Sequence, residues 1–424
     1  MIGFTLKGIV RDRSRSLLPV IIVSIGAMLT VAGTGWIKGI FGDIIAMNAK
    51  YSTGHVKILT AAYAENESQA PNDLALTDIS SLLSSLKKDF TGVEWVPRIH
   101  FGGLIDIPDS SGVTKYQGNV VGRGVDLFSA GSRENERMNI APSIVEGKLP
   151  ENGKEILISH DFAKRFNLKP GDKVTFFGSS MNGGMVFSEL TLCGTIKFGS
   201  QILDRGGIIC DVSDAQQMLD MEDASSEILG YFKDDIYSEE RADSLRSTFN
   251  SVYFDPGDEF SPKMLKLSEQ NDLDEYLAYA DRMGTIIALI FIFTLSVVLW
   301  NTGLLGGLRR YNEYGIRLAL GEEKKHIYFM MLYEALIVGI IGSVVGSAAG
   351  LSFSYWLQET GLDFGDSFGN ITMMMPQVFR ARVVPEMFYI GFIPGVVAML
   401  IGTAIAGIGI FKRDTARLFT ELEV

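Results

Sequence analysis

Residues able to do chemistry are sparse in this 424-residue sequence, and they are scattered. The four histidines, His55, His100, His160 and His326, have none of the close spacing that a metal site requires. No G-x-x-x-x-G-K-[ST] run is present to cradle a phosphate, and no G-x-S-x-G elbow presents a nucleophile. Cys193 and Cys210 are either two small side chains buried in strands or a disulfide in an oxidising compartment. Charge is concentrated between two apolar runs in RRYNEYGIRLALGEEKKHI, Arg309–Ile327, where eight of nineteen residues are charged. Tyr311, Tyr314, Ile316, Leu318 and Leu320 interleave with those charges, and Gly315 and Gly321 punctuate the run. Two uses fit this pattern. One is an ordinary amphipathic helix lying on a membrane surface. The other is a short helix that offers apolar side chains to a groove on another protein, with Arg309, Arg310, Lys324 and Lys325 near lipid phosphates.

The elements that must position this segment are long and apolar. Ser16–Ile37, Met283–Leu308, Ala335–Gln358 and Met387–Phe411 contain no Asp, Glu, Lys or Arg over 22, 26, 24 and 25 residues. A helix rises about 1.5 Å per residue, so each can cross a hydrocarbon core of roughly 30 Å. Four transmembrane helices are expected. The first follows Lys7, Arg11, Arg13 and Arg15, is longer than a signal-peptide core and lacks a clear cleavage site, so it is read as an uncleaved anchor. Basic residues also mark Arg309–Lys325 and the C-terminal Lys412, Arg413 and Arg417, which places these three segments on the cytoplasmic side. The remainder carries 26 basic and 42 acidic residues, a charge of −16 that argues against nucleic acid as a partner.

No span carries a central ionisable residue, as ion coupling would need. Energy for transport must then come from another subunit. Glu334, at the start of the third span, is read as interfacial or coupling. Gly342, Gly346 and Gly350 recur every four residues, as do Gly391 and Gly395, which lets helix backbones approach closely.

Between the first two spans lies a large external segment. Val56, Ile58 and Thr60 would share one face of a strand, with Lys57 and Leu59 on the other. Thr77 is expected to cap an amphipathic helix to Phe90, and Ser238 a second one, followed by a strand at SVYF. VEWVPRI and KYQGNVVGRGV read as strands between them. Glu151–Gly153 reads as a turn, Glu155–Ile158 as a strand and Ser159 as a helix cap; SELTLCGTI and RGGIICDV add strands. GSSMNGGM is a loop, either a plain connection or a partner contact. The expected organisation is a cytoplasmic segment 1–15, a span 16–45, an external α+β domain 46–282 with an inserted β-rich lobe 146–235, and a span 283–308. A coupling helix 309–327, a span 328–358, an external loop 359–386, a span 387–411 and a tail 412–424 follow.

NEYGIRLALGEEKKHI followed by YEALIVGIIGSVVGSAAG resembles the coupling loop and third span of MacB/FtsX-type (type VII) ABC permeases. Glu313, Gly315, Ile316, Arg317, Ala319, Leu320, Gly321, Ile327 and Glu334 are the matching positions, and GHVKI, EGKLP and EILISHDFAKRFNLKPGDKV come in the family's order. The resemblance implies a non-catalytic permease in the bacterial inner membrane. Its porter-like external lobe would carry a sabre-like insert, and it would pair with a second permease. It would bind a separate cytoplasmic ATPase, the holder of ATP and Mg, through Glu313, Gly315, Ile316, Arg317, Leu320 and Gly321. ATP-driven closure would be passed to the external domain by mechanotransmission. Four spans with a large external domain resemble the LolC/LolE lipoprotein-release permeases; a MacB-like exporter and an FtsX-like scaffold controlling an external enzyme are the alternatives. In the lipoprotein reading, Met28, Trp36, Ile40 and Phe41 of the first span and Ile287, Phe291 and Leu295 of the second contact the lipid-anchored substrate.

Overall fold

The computed structural model describes residues 13–109, 112–270, 273–308, 311–363 and 378–412. The chain divides into two compact units. A helical unit draws on Met1–Asp43, Tyr279–Asp363 and Val378–Val424, and an α+β unit on Ile44–Ala278.

In the helical unit, α1 (Arg13–Asn48) and α8 (Lys324–Thr360) are the long packed helices. Among the described residues, three segments are long and apolar enough to cross a membrane: Leu17–Thr53, Lys324–Thr360 and Met387–Ile408. The expected second span lies in α6 (Leu273–Leu308), whose described apolar stretch is the shorter Thr285–Asn301. The last segment is interrupted. Met387–Ile390 is α-helical, Ile393–Ala398 is a π-helix, and α9 (Met399–Lys412) resumes. Pro394 explains the break, because it has no N–H to continue the α-helical ladder. Glycines set how close these helices come. A Cβ on Gly342 would stand 2.6 Å from Val23 Cγ1, and one on Gly350 2.9 Å from both Met28 O and Val31 Cβ. Gly391 and Gly395 face Ser347 and Ser343 of α8.

The α+β unit is organised by one long strand. β2 (Val93–Pro108) pairs through Val93–Arg98 with β9 (Glu227–Phe232), and through Ile99–Pro108 with β3 (Thr114–Val125). The first half thus joins an antiparallel sheet ordered β10 (Pro262–Lys266), β1 (Val56–Thr60), β9, β2. Helices α2 (Ile79–Asp89) and α5 (Glu239–Tyr253) contribute Leu86 and Phe249 to its core with Val56, Ile58, Trp95, Ile228 and Met264.

The second half closes a ring. β3 pairs β8 (Gly207–Asp211), β8 pairs β5 (Glu155–Ser159), and β5 pairs β7 (Met185–Ile196). β7 pairs β6 (Lys173–Ser179), and β6 returns to β2. β4 (Ile144–Gly147) lies outside β7. Such closure leaves few backbone groups free for stray pairing. Phe101, Ile105, Phe176, Leu190 and Ile208 fill the interior. They are joined by Phe162 of α3 (His160–Phe166) and Leu219 of α4 (Val212–Leu219).

The segment 146–235 is therefore not the whole of this lobe. β3 and half of β2 precede it, and β9, inside it, belongs to the other sheet. A 16-residue strand long enough to serve both lobes is the reason. Three local expectations also change. Thr77 does not cap α2; Asp223, distant in sequence, accepts from the Ser80 amide at 3.0 Å. Ser251–Tyr253 of SVYF continue α5 rather than starting a strand, and the strand comes later, as β10. β1 is buried on both faces, Lys57 included. Ser159 and Ser238 do cap α3 and α5. Both cysteines are free and buried in strands, and burial raises the Cys193 thiol to about 12.

Candidate coupling segment

Helix α7 (Tyr311–Ala319) connects α6 to α8, with Arg309 and Arg310 outside the described residues. Its two faces differ. Tyr314 and Leu318, four residues apart, pack with Ile327 and Met331 of α8. Ile316 and Leu320, also four apart, are 54% and 82% exposed. Folding α7 back onto α8 needs a tight reversal, which Gly321 supplies at φ +95°, a conformation that favours glycine. The reversal is tied by Leu320 N donating to Ile316 O (3.0 Å) and Glu322 N to Arg317 O (3.1 Å). Arg317 is half-exposed and reaches back along the turn, with Nε 3.8 Å from Glu322 Oε2 and Nη1 3.3 Å from Met330 Sδ. His326 Nε2 lies 3.5 Å from the other Glu322 oxygen. Glu322 thus links the turn to the first turn of α8.

The predicted coupling residues therefore share one short element but not one role. Gly315 is buried, Gly321 makes the turn, Arg317 braces it, and Ile316 and Leu320 project outward. Glu313 is on α7, and its side chain lies outside the described residues. Glu334 is half-buried on α8.

The substrate-contact candidates are more dispersed. Met28, Trp36, Ile40 and Phe41 are half-buried along α1, and Ile287 is exposed on α6. The side chains of Phe291 and Leu295 lie outside the described residues. A contact between the two helices falls elsewhere, at Gly26, where a Cβ would stand 3.0 Å from Leu299 Cδ1.

A second cluster went unrecognised in the sequence. At the changeover in β2, Arg98 Nε is 2.7 Å from Glu134 Oε2, and Arg137 Nη1 is 2.6 Å from Glu134 Oε1. Nearby, Lys57 Nζ lies 2.8 Å from Glu227 Oε2, and His100 Nε2 2.8 Å from Oε1. Burial works against the Glu227 carboxylate, but His100 and Lys57 hold its pKa well below the usual range. Burial likewise opposes Glu134, yet Arg98 and Arg137 keep its pKa low. One signal was available in the sequence: Lys57 lies within the mainly apolar strand VKILT.

Residues 285–415, which contain α7, match the family described as FtsX-like permease, C-terminal. Over 108 residues, the chain is 28% identical to the protein called macrolide export ATP-binding/permease protein MacB of Brucella abortus (strain 2308), and equally to that of Brucella melitensis biotype 1. These matches take in 26% of this chain and 16% of each relative's length. A crystal structure of the periplasmic region of MacB from Actinobacillus actinomycetemcomitans aligns with a TM-score of 0.36 and 13% identity. That alignment covers 55% of this chain and 95% of the other.

Proposed function

We propose that this chain, with its FtsX-like C-terminal segment, is the membrane-spanning permease subunit of an ABC transporter. In this reading it is non-catalytic and sits in a bacterial inner membrane with both termini in the cytoplasm. α1, α6, α8 and Met387–Lys412 form its four spans, and the α+β unit is periplasmic. A separate ATPase docks on α7, and ATP-driven movement there is passed through the spans to the α+β unit. One observation carries the reading: the helix inside the FtsX-like segment is anchored by Tyr314 and Leu318 while Ile316 and Leu320 stay open. Two exposed apolar side chains, one on α7 and one just after it, suit a small groove that buries them, and their burial is worth roughly 1.5–3 kcal/mol each. Arg317→Glu and Leu320→Asp, placed in the full chain and co-expressed with the ATPase, are expected to abolish its co-purification while membrane insertion persists. Unchanged co-purification in both variants contradicts the assignment.

For the substrate, we favour a lipid-anchored protein taken from the bilayer by a pair of permeases, entering between α1 and α6. Apolar Trp36, Ile40 and Phe41 on α1, with Ile287 on α6, suit acyl chains, each buried CH₂ contributing about 0.8 kcal/mol. Photo-crosslinkers at Ile40 and Ile287 are expected to trap a lipoprotein when ATP is depleted. The Brucella relatives, called macrolide export ATP-binding/permease proteins, favour a second reading, export of a macrolide-like compound. Loss of macrolide resistance on deletion, with no lipoprotein trapped, would select it.

A further inference from the structure

The end of α1 is held in an unusual way. After Asn48 the helix continues as five π-helical residues, Ala49–Thr53, and Gly54, at φ +62°, turns the chain into β1. The last carbonyls of a helix have no partners of their own. Here Ala49 O accepts from Gly54 N at 2.8 Å, and the carbonyls of Lys50 and Tyr51 are taken by side chains from three strands. Arg98 on β2 donates from Nη1 to Tyr51 O (2.6 Å) and from Nη2 to Lys50 O (3.0 Å). Arg123 on β3 donates to the same Tyr51 carbonyl, and its guanidinium stacks 4.1 Å from the centre of the Tyr51 ring. The Tyr231 hydroxyl on β9 lies 3.0 Å from Lys50 O and 3.3 Å from Ala49 O, while accepting from Arg98 Nη2 at 3.0 Å. Tyr231 is itself covered by Arg137, whose guanidinium stands 3.9 Å from its ring centre.

Two features set this apart from ordinary capping. The grip comes from both lobes: Tyr231 belongs to the first sheet, Arg123 to the closed ring, and Arg98 is the last β2 residue paired with β9 before β2 turns to β3. It also uses planar guanidinium groups whose donor directions are fixed, one of them fully buried and held by Glu134. Lysine could neutralise Glu134 but could not span two carbonyls and a carboxylate together. Lys266, the end of β10, is the register partner of Val56, the first residue of β1.

We propose that Arg98, Arg123 and Tyr231 are positioning residues that grip the end of α1 and pass its displacement into both lobes of the α+β unit. This rests on the transmission reading above. Arg123 carries the displacement to the closed ring, Tyr231 carries it to the first sheet, and Arg98 ties the two.

The test uses the full chain with its ATPase in lipid nanodiscs, comparing hydrogen exchange without nucleotide and after trapping with ATP and vanadate. In the wild type, trapping is expected to change exchange at 49–56, in β1 and β9, and in β3 and β8. Arg123→Met is expected to speed exchange at 49–53 about tenfold and to lose most of the nucleotide response of β3 and β8, while β1 and β9 still respond. Tyr231→Phe, which keeps the ring under Arg137, is expected to show the reverse split. Arg98→Lys is expected to weaken both responses. Unaltered exchange in α5 certifies that each variant is folded, and a general loss of stability would not produce opposite splits. A wild-type response that survives intact in both Arg123→Met and Tyr231→Phe overturns the grip alone. A wild type with no nucleotide response anywhere in the α+β unit overturns the transmission reading, and the grip with it.

Discussion

Helix α7 and the changeover point of β2 treat their side chains in opposite ways. On α7 and just after it, apolar Ile316 and Leu320 are left in the open, and Arg317 and Glu322 beside them are partly exposed. At the changeover, Lys57, Arg98, Glu134, Arg137 and Glu227 are buried, and each is held by an opposite charge at 2.6–2.8 Å. In the proposed function a second protein covers Leu320, which is 82% exposed in this chain. The charges at the changeover already have their partners. Substitutions should therefore separate the two regions: at the changeover they should cost folding, and on the open face of α7 they should cost association.

Arg98→Met gives the largest expected effect. It leaves Glu134 with one cation and removes two donors from the end of α1, and breaking a buried pair costs about 3–5 kcal/mol. Chemical denaturation of the full chain, read by hydrogen exchange in β2 and β9, measures it. An unchanged midpoint would erase the contrast with α7.

Acid should act on the same unit through His55. Its Nδ1 accepts from Phe232 N at 3.0 Å, so the folded state requires the neutral ring, and burial lowers its pKa to about 4. The unfolded chain takes up the proton near pH 6.5, so this contribution is full above that pH. It is lost as pH falls toward 4, a change of up to about 3 kcal/mol. His55→Asn keeps an acceptor without the titration and should flatten the slope over that window. An equal slope in both proteins would exclude His55 as its origin.

Much of the local structure was legible because its causes are local. Ser159 and Ser238 lie three residues before the amides they cap, and Tyr314 and Leu318 are separated by one helical turn. Where the cause is distant, local reading failed. The α2 start takes its cap from Asp223, 143 residues away from Ser80. SVYF has strand-forming side chains, but Tyr253 stacks on Phe249 and its hydroxyl bonds Asp89, which keeps that stretch helical. The buried charges were hidden for the same reason: Arg98, Glu134 and the Ala49, Lys50 and Tyr51 carbonyls come from segments far apart in the sequence.

Two smaller effects sharpen the α7 side of the comparison. Gly321→Ala forces a side chain into φ +95° and should destabilise the α7–α8 turn by about 1–2 kcal/mol. Faster exchange of the His326 and Ile327 amides, which bond to Glu323 O, would register it, and unchanged rates would show that the turn tolerates a Cβ. Leu320→Asp should change stability least, within about 0.5 kcal/mol, because the side chain is 82% exposed. A larger loss would mean that Leu320 supports the fold of the lone chain.

The most direct test places a photo-crosslinking residue at Leu320 in the full chain, co-expressed with the ATPase in native membranes. Docking on α7 predicts a crosslink to the ATPase from position 320, and a far weaker one from Leu318 on the inward face. A crosslink from 318 but not 320, or from neither while the two proteins still co-purify, would contradict it.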